Sequence, residues 1–210
     1  MISALARQGI TPKTVIDVGA NVGQFTVACA MIFPGVAVHS FEPLPQAAAT
    51  LRENVRRFPN VKVYPIALGE REGECTFHVN AHSHSSSILP LAQSHRTAFP
   101  EARETATTVV ELTTLDRVFD QVELTPPVLL KLDVQGYEAQ TLAGGEQVLR
   151  SCDYVILESS FKSMYEGEVL FTDILAMMRE KNFTFLRPVG WLTWPSTGEV
   201  LQMDALFHRN

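Results

Sequence analysis

The chain has 210 residues, 46% hydrophobic and 19% charged, enough to bury a substantial core and better suited to one α/β domain than to two. A formal net charge of -6 gives no electrostatic footprint for nucleic acid or an anionic membrane surface, and so favours a small-molecule partner. The three cysteines, Cys29, Cys75 and Cys152, suggest neither a disulfide framework nor a zinc site. No apolar run approaches the roughly 18 residues that span a bilayer and no leader pattern opens the chain, so a soluble, cytoplasmic protein is expected.

In chain order, short apolar, β-branched runs at residues 14–18, 36–41, 61–66, 128–132 and 154–157 predict strands buried on both faces. Helical patterns follow four of them, at 25–32, 44–57, 140–150 and 170–181. Strand alternating with helix implies right-handed crossovers and a parallel, doubly wound, Rossmann-like sheet. Residues 75–79 and 107–112 break the rhythm as two extra strands within an insertion at about 73–112, and the Ser/His-rich stretch 81–98 between them is expected to form a mobile flap. Residues 183–186 and 202–208 predict an antiparallel hairpin at the sheet edge, joined by a loop with Trp191, Trp194 and Pro195. Such an edge is compatible with a homodimer without requiring one. No domain boundary can be placed.

In a doubly wound sheet, ligands sit beyond the carboxyl ends of the strands where strand order reverses. The turn Asp17-Val18-Gly19-Ala20-Asn21-Val22-Gly23 lies there, and its glycines allow a sharp bend with close backbone approach to a ligand. A dinucleotide-binding GxGxxG pattern begun at Gly19 would need glycines where Asn21 and Gln24 stand. Asp17 would repel a pyrophosphate but attract a ligand carrying sulfonium and ammonium groups. Glu42, closing the second strand, is placed to accept hydrogen bonds from ribose hydroxyls, which adenosylmethionine and dinucleotides share.

The segments VIDVGANVGQFT, FEPLP, VYPIALGE, SSSILP, VELTTLDRV and LLKLDVQGYEAQTLAGG, in this order between Val15 and Glu158, resemble FkbM-type methyltransferases. The resemblance fades beyond Phe161. It implies a seven-stranded sheet with the last strand antiparallel, S-adenosylmethionine as cofactor, and O-methylation of a hydroxyl, often on a sugar or secondary metabolite. It further implies that Asp17, Gly19, Asn21 and Gly23 hold the methionine part, Glu42 the ribose, and that Ala67 and Leu68 border the adenine, with Ala20 and Pro43 also among the cofactor-binding residues and Ser86 or Ser87 approaching from the flap. Gln135 stands where many relatives carry Glu.

A hydroxyl acceptor needs a destination for its proton. Asp133 ends the fourth strand with Lys131 two residues earlier on the same face, so this pair is the first catalytic candidate, Asp133 orienting or deprotonating the acceptor. The structural alternative has Asp133 capping the next turn and Lys131 paired with Glu138. Glu158, ending the fifth strand, is the second candidate. His82 and His84 form an HxH pair for which solvation is the commoner outcome, and no metal site is predicted. Phe161, Tyr165, Trp191 and Trp194 are candidates either for acceptor-pocket lining or for packing. N-methylation, NAD-dependent redox chemistry and a non-catalytic ligand-binding domain are the competing functions.

Overall fold

A computed structural model of the chain describes residues 1–81 and 83–210. Helix α1 (Ile2–Arg7) precedes β1 (Thr14–Val18), α2 (Gln24–Ile32), β2 (Ala37–Phe41), α3 (Pro45–Val55) and β3 (Val61–Tyr64). Then come β4 (Ala67–Leu68), β5 (Gly73–Asn80), α4 (Gln93–Ala98) and β6 (Glu104–Thr113). The chain continues through α5 (Leu115–Phe119), β7 (Val128–Leu132), α6 (Glu138–Ala143), α7 (Glu146–Arg150) and β8 (Tyr154–Ser160), and closes with α8 (Phe171–Glu180), β9 (Phe183–Thr193) and β10 (Val200–Arg209).

The main sheet has seven strands in the order β3-β2-β1-β7-β8-β10-β9. Only β10 runs against its neighbours, pairing antiparallel with both β8 and β9. The last strand in sequence is therefore inserted beside β8, and β9 becomes the edge. β1 and β7 have the predicted bounds because each is buried at every position, which a continuous apolar run encodes directly. They pair in parallel with Asp17 opposite Lys131, and the strand order reverses between them.

Helices cover both faces. One layer packs Phe119, Leu142, Leu149, Ile174 and Met178 onto the sheet, the other Leu5, Cys29 and Phe33. All three cysteines are free thiols. Among the described residues, no helix is long and apolar enough to cross a membrane.

Several predicted elements are corrected. The run 61–66 ends as a strand at Tyr64, and Ala67–Leu68 leaves the main sheet to pair with β6 in a second sheet of order β4-β6-β5. The helix expected over 140–150 begins at Glu138 and breaks at Gly144-Gly145, where the chain threads between Gly69 and Leu115. Trp191, expected in a loop, lies within β9, because the terminal hairpin extends to Thr193 and Val200. In the flap, a 3-10 turn (Ser83–Ser85) and α4 pack on the body through bridges from Ser87 to His78 and from Leu91 to Tyr165.

Candidate functional site

A cavity of about 860 Å³ opens over the carboxyl ends of β1, β2, β7 and β8, within the size range of small-molecule sites. Gly19, Ala20, Asn21, Glu42, Pro43, Ala67, Leu68 and Ser86 line it, as do Lys131, Asp133 and Glu158. Asp17, Gly23 and Ser87 are outside its lining.

The turn after β1 is held by its own backbone. The amides of Gly19 and Ala20 donate to the Phe41 carbonyl at 3.0 and 2.9 Å, tying the turn to the end of β2. Gly19, Asn21 and Gly23 have φ of 79°, 49° and 93°, a left-handed path that glycine and asparagine tolerate best. The glycines are required by protein neighbours: a Cβ on Gly19 would overlap the Asp133 carbonyl, and one on Gly23 would overlap the Leu51 side chain. Asn21 stabilises the bend by accepting the Val22 amide at 2.8 Å.

Glu42 closes this side of the cavity. Its two oxygens accept the amides of Asn21 and Leu44, each at 2.9 Å. Burial raises its pKa to about 7, against the lowering effect of those amides. Each carboxylate oxygen keeps a further lone pair, so the group can still receive two hydroxyls. Leu44, Ile66, Ala67, Leu68 and Phe77 form an adjoining apolar wall suited to a flat heteroaromatic ring.

Asp17 lies beneath this floor, fully buried. Thr26 Oγ1 donates to its Oδ2 at 2.7 Å, and Lys131 Nζ stands 3.6 Å from Oδ1, which has no hydrogen-bond partner among the described residues. Burial raises its pKa, and Lys131 opposes that. The register that sets Asp17 opposite Lys131 thus joins the turn electrostatically to the far half of the cavity.

There, Lys131 Nζ donates to Asp133 Oδ2 at 2.9 Å. Burial would lower the lysine pKa, but Asp133 and Asp17 push it above its usual value. Gln135 Nε2 donates to both Asp133 Oδ1 and Glu158 Oε2, at 2.6 and 2.7 Å. Tyr165 donates its hydroxyl to Gln135 Oε1, and Ser87 Oγ donates to the Gln135 carbonyl at 2.7 Å. Glu158 has its pKa raised well above the usual range, first by burial and then by Asp133, Glu138 and Asp204. Glu138, not Asp133, holds the following turn, accepting the Val134 amide at 2.9 Å. Lys131 ion-pairs with Asp133 and Asp17 and not, as the structural alternative had it, with Glu138.

Of the aromatic candidates, Tyr165 is buried as a support for Gln135, while Phe161 packs on Phe171 and Trp194 lies under Lys162. Trp191 is 67% exposed on β9, and none of the four lines the cavity, where Phe99 and Leu192 stand instead. His84 lines the rim, and His82 lies outside the described residues. Sequence reasoning missed Gln135 as the hub, along with His95, Gln202 and Asp204 in the wall. A polar residue inside an otherwise apolar strand is a signal that could have found Gln202 and Asp204.

The model of the methyltransferase FkbM domain matches residues 17–185, well beyond the point at which the quoted motifs fade. The chain is 27% identical over 170 residues to the 2-O-methyltransferase NoeI of Sinorhizobium fredii, covering 78% of this chain and 70% of that protein. A crystal structure of methyltransferase FkbM from Methylobacillus flagellatus superposes with a TM-score of 0.56 at 14% identity, covering 93% of this chain but only 43% of that longer one. Magnesium protoporphyrin IX methyltransferase from Synechocystis, crystallised with bound SAM, shares the fold over 100% of this chain and 76% of its own, with a TM-score of 0.56 at 11% identity.

Proposed function

The chain belongs to the FkbM methyltransferase family and is an S-adenosylmethionine-dependent methyltransferase; from that premise we propose that it methylates a hydroxyl of a small sugar or secondary metabolite. The observation that carries this reading is the continuity of one cavity between the Glu42 cradle and the Lys131–Asp133–Gln135–Glu158 network. The similarity to a 2-O-methyltransferase supports oxygen as the acceptor atom. Free thiols throughout fit a reducing, cytoplasmic setting.

The residues fit the cofactor. Glu42 has lone pairs left for the ribose, the wall from Ile66 to Leu68 suits adenine, and the unsatisfied Asp17 Oδ1 supplies negative charge beneath the methionine end. Bound there, the cofactor supplies an electrophilic methyl group. The protein's own contribution is largely positional. Lys131 and Gln135 fix both oxygens of Asp133, which orients the acceptor hydroxyl. Glu158, with its raised pKa, makes a second polar contact to the acceptor.

Thermal shifts with adenosylmethionine, adenosylhomocysteine and NAD test the first half, since ligand at 100 times its Kd stabilises the fold by about 2.7 kcal/mol. The first two are expected to stabilise, and stabilisation by NAD alone overturns the reading. A screen of methyl glycosides and other alcohols tests the second half. Asp133→Asn is expected to keep cofactor binding while losing turnover, and full turnover in that variant would remove Asp133 from its role.

A further inference from the structure

The far half of the cavity presents a row of carboxylates across adjacent strands: Asp133 just after β7, Glu158 on β8 and Asp204 on β10. Asp204 pairs directly opposite Glu158. Neighbouring strands lie about 4.8 Å apart, so the row leads outward from the turn after β1 across the far half of the cavity.

The three are held differently. Asp133 is bound by the Lys131 ammonium and the Gln135 amide. Protonating it would leave Lys131, buried at its back, without its closest counter-ion. Glu158 already shares Gln135, and its surroundings favour the protonated form. The Asp204 carboxylate receives no hydrogen bond from the described residues.

Asp204 also sits in a notch made for it. Gly190 on β9 pairs with it, and a Cβ there would overlap Asp204 Oδ2. Gly190 is not among the glycines with left-handed φ, so its backbone would accept alanine and the missing side chain serves to leave room.

We propose that Asp204 takes the proton from the acceptor hydroxyl. The inference rests on the O-methylation reading above. The hydroxyl oxygen bonds to the methyl carbon, the carbon–sulfur bond breaks with its electron pair remaining on sulfur, and the O–H proton moves to Asp204. The products are a methyl ether, a thioether and a neutral carboxylic acid, which then returns its proton to solvent.

The charges around Asp204 suit this role. Burial raises its pKa to about 6, Asp133 adds to the rise, and Lys131 and the Met1 amino group oppose it. Glu158 faces it from β8, and β9 sets uncharged Gly190 against it. At neutral pH the group is therefore ionised and still basic enough to accept a proton.

The test uses the full chain with adenosylmethionine and methyl glycosides as acceptor probes. Wild-type kcat should rise with pH through about 6 and then level, and the free protein should show an Asp204 carboxyl titrating near 6 by carbon NMR. Asp204→Asn should lower kcat about 100-fold or more and abolish that limb, while adenosylhomocysteine affinity is unchanged. Gly190→Ala keeps the carboxylate but displaces it, and should lower kcat about 10-fold on an intact fold. Asp204→Asn within about threefold of wild type, or retaining the limb near 6, overturns the proposal, as does an Asp204 carboxyl titrating in the ordinary range. Wild-type protein that binds cofactor but methylates no hydroxyl refutes the O-methylation reading, and this inference with it.

Discussion

Replacing Lys131 with methionine removes the cation that joins the two halves of the cavity while nearly conserving volume. Lys131 is 6% exposed, with Nζ 2.9 Å from Asp133, 3.6 Å from Asp17 and 5.2 Å from the centre of the Phe25 ring. The variant leaves Asp17 fully buried with Thr26 as its side-chain donor, and Asp133 with Gln135. Breaking a buried pair costs about 3–5 kcal/mol. The Asp133 side chain is 30% exposed and recovers some hydration, so the low end, about 3 kcal/mol, is expected at pH 7.5. For a chain of this size that corresponds to a fall in Tm of roughly 6–12 °C. Without the cation, the folded-state pKa of Asp17, already raised by burial, rises further above its unfolded value. The native state then binds more protons than the unfolded state, and the deficit shrinks as pH falls through that raised folded pKa. Urea unfolding at pH 5.5, 6.5 and 7.5 reads both effects. A deficit below about 1 kcal/mol at pH 7.5, or one unchanged at pH 5.5, would refute Lys131 as the shared counter-ion.

Cofactor affinity should also depend on pH through Glu42. Ribose hydroxyls require its ionised form, so affinity for adenosylhomocysteine should fall up to about tenfold per pH unit below the pKa of about 7, and Glu42→Gln should bind more weakly with a flat profile by calorimetry. Glu138 is titrated in the opposite sense to a salt-bridged acid. Burial raises its pKa to about 8, so the wild type should lose stability between the unfolded value near 4.5 and 8, by up to about 1.4 kcal/mol per pH unit. Glu138→Gln keeps an acceptor for the Val134 amide and should remove that slope in urea unfolding, and an unchanged slope would count against it. Gly19→Ala should lose about 1–2 kcal/mol to its left-handed φ. It also forces the turn away from Asp133, so adenosylhomocysteine affinity should drop more than about tenfold on a folded protein; near-normal affinity would refute the need for that close approach.

What could be read from the sequence follows from how locally each feature is encoded. β1 and β7 were legible to the residue because strands buried on both faces are continuous apolar runs, and the turn between β1 and α2 carries its glycines in the chain itself. Lys131 and Asp133 stood out because charge at the end of such a run demands a reason. Their partnership with Asp17 was not legible, since it depends on β7 pairing beside β1 in one register, a consequence of strand order. Gln135 shows the same limit: it could be read as a substitution in a motif, but its bonds to Glu158, Tyr165 and Ser87 reach the neighbouring strand, the segment after it and the flap.

Asp204 is the sharpest case. It interrupts Leu201–Phe207, where every other residue is buried, so the pattern does signal that this carboxylate faces something other than core. The notch that receives it comes from Gly190, fourteen positions earlier on a strand that pairs only because β10 folds back between β8 and β9. Topology therefore assigns the chemistry here. The cofactor side is built from short local segments, namely the turn after β1, the end of β2 and residues 66–68, whereas the acceptor side is assembled from three strands and the flap. Substitutions on β9, β10 or the flap can consequently retune the acceptor and its proton transfer while leaving the turn, and with it cofactor binding, intact.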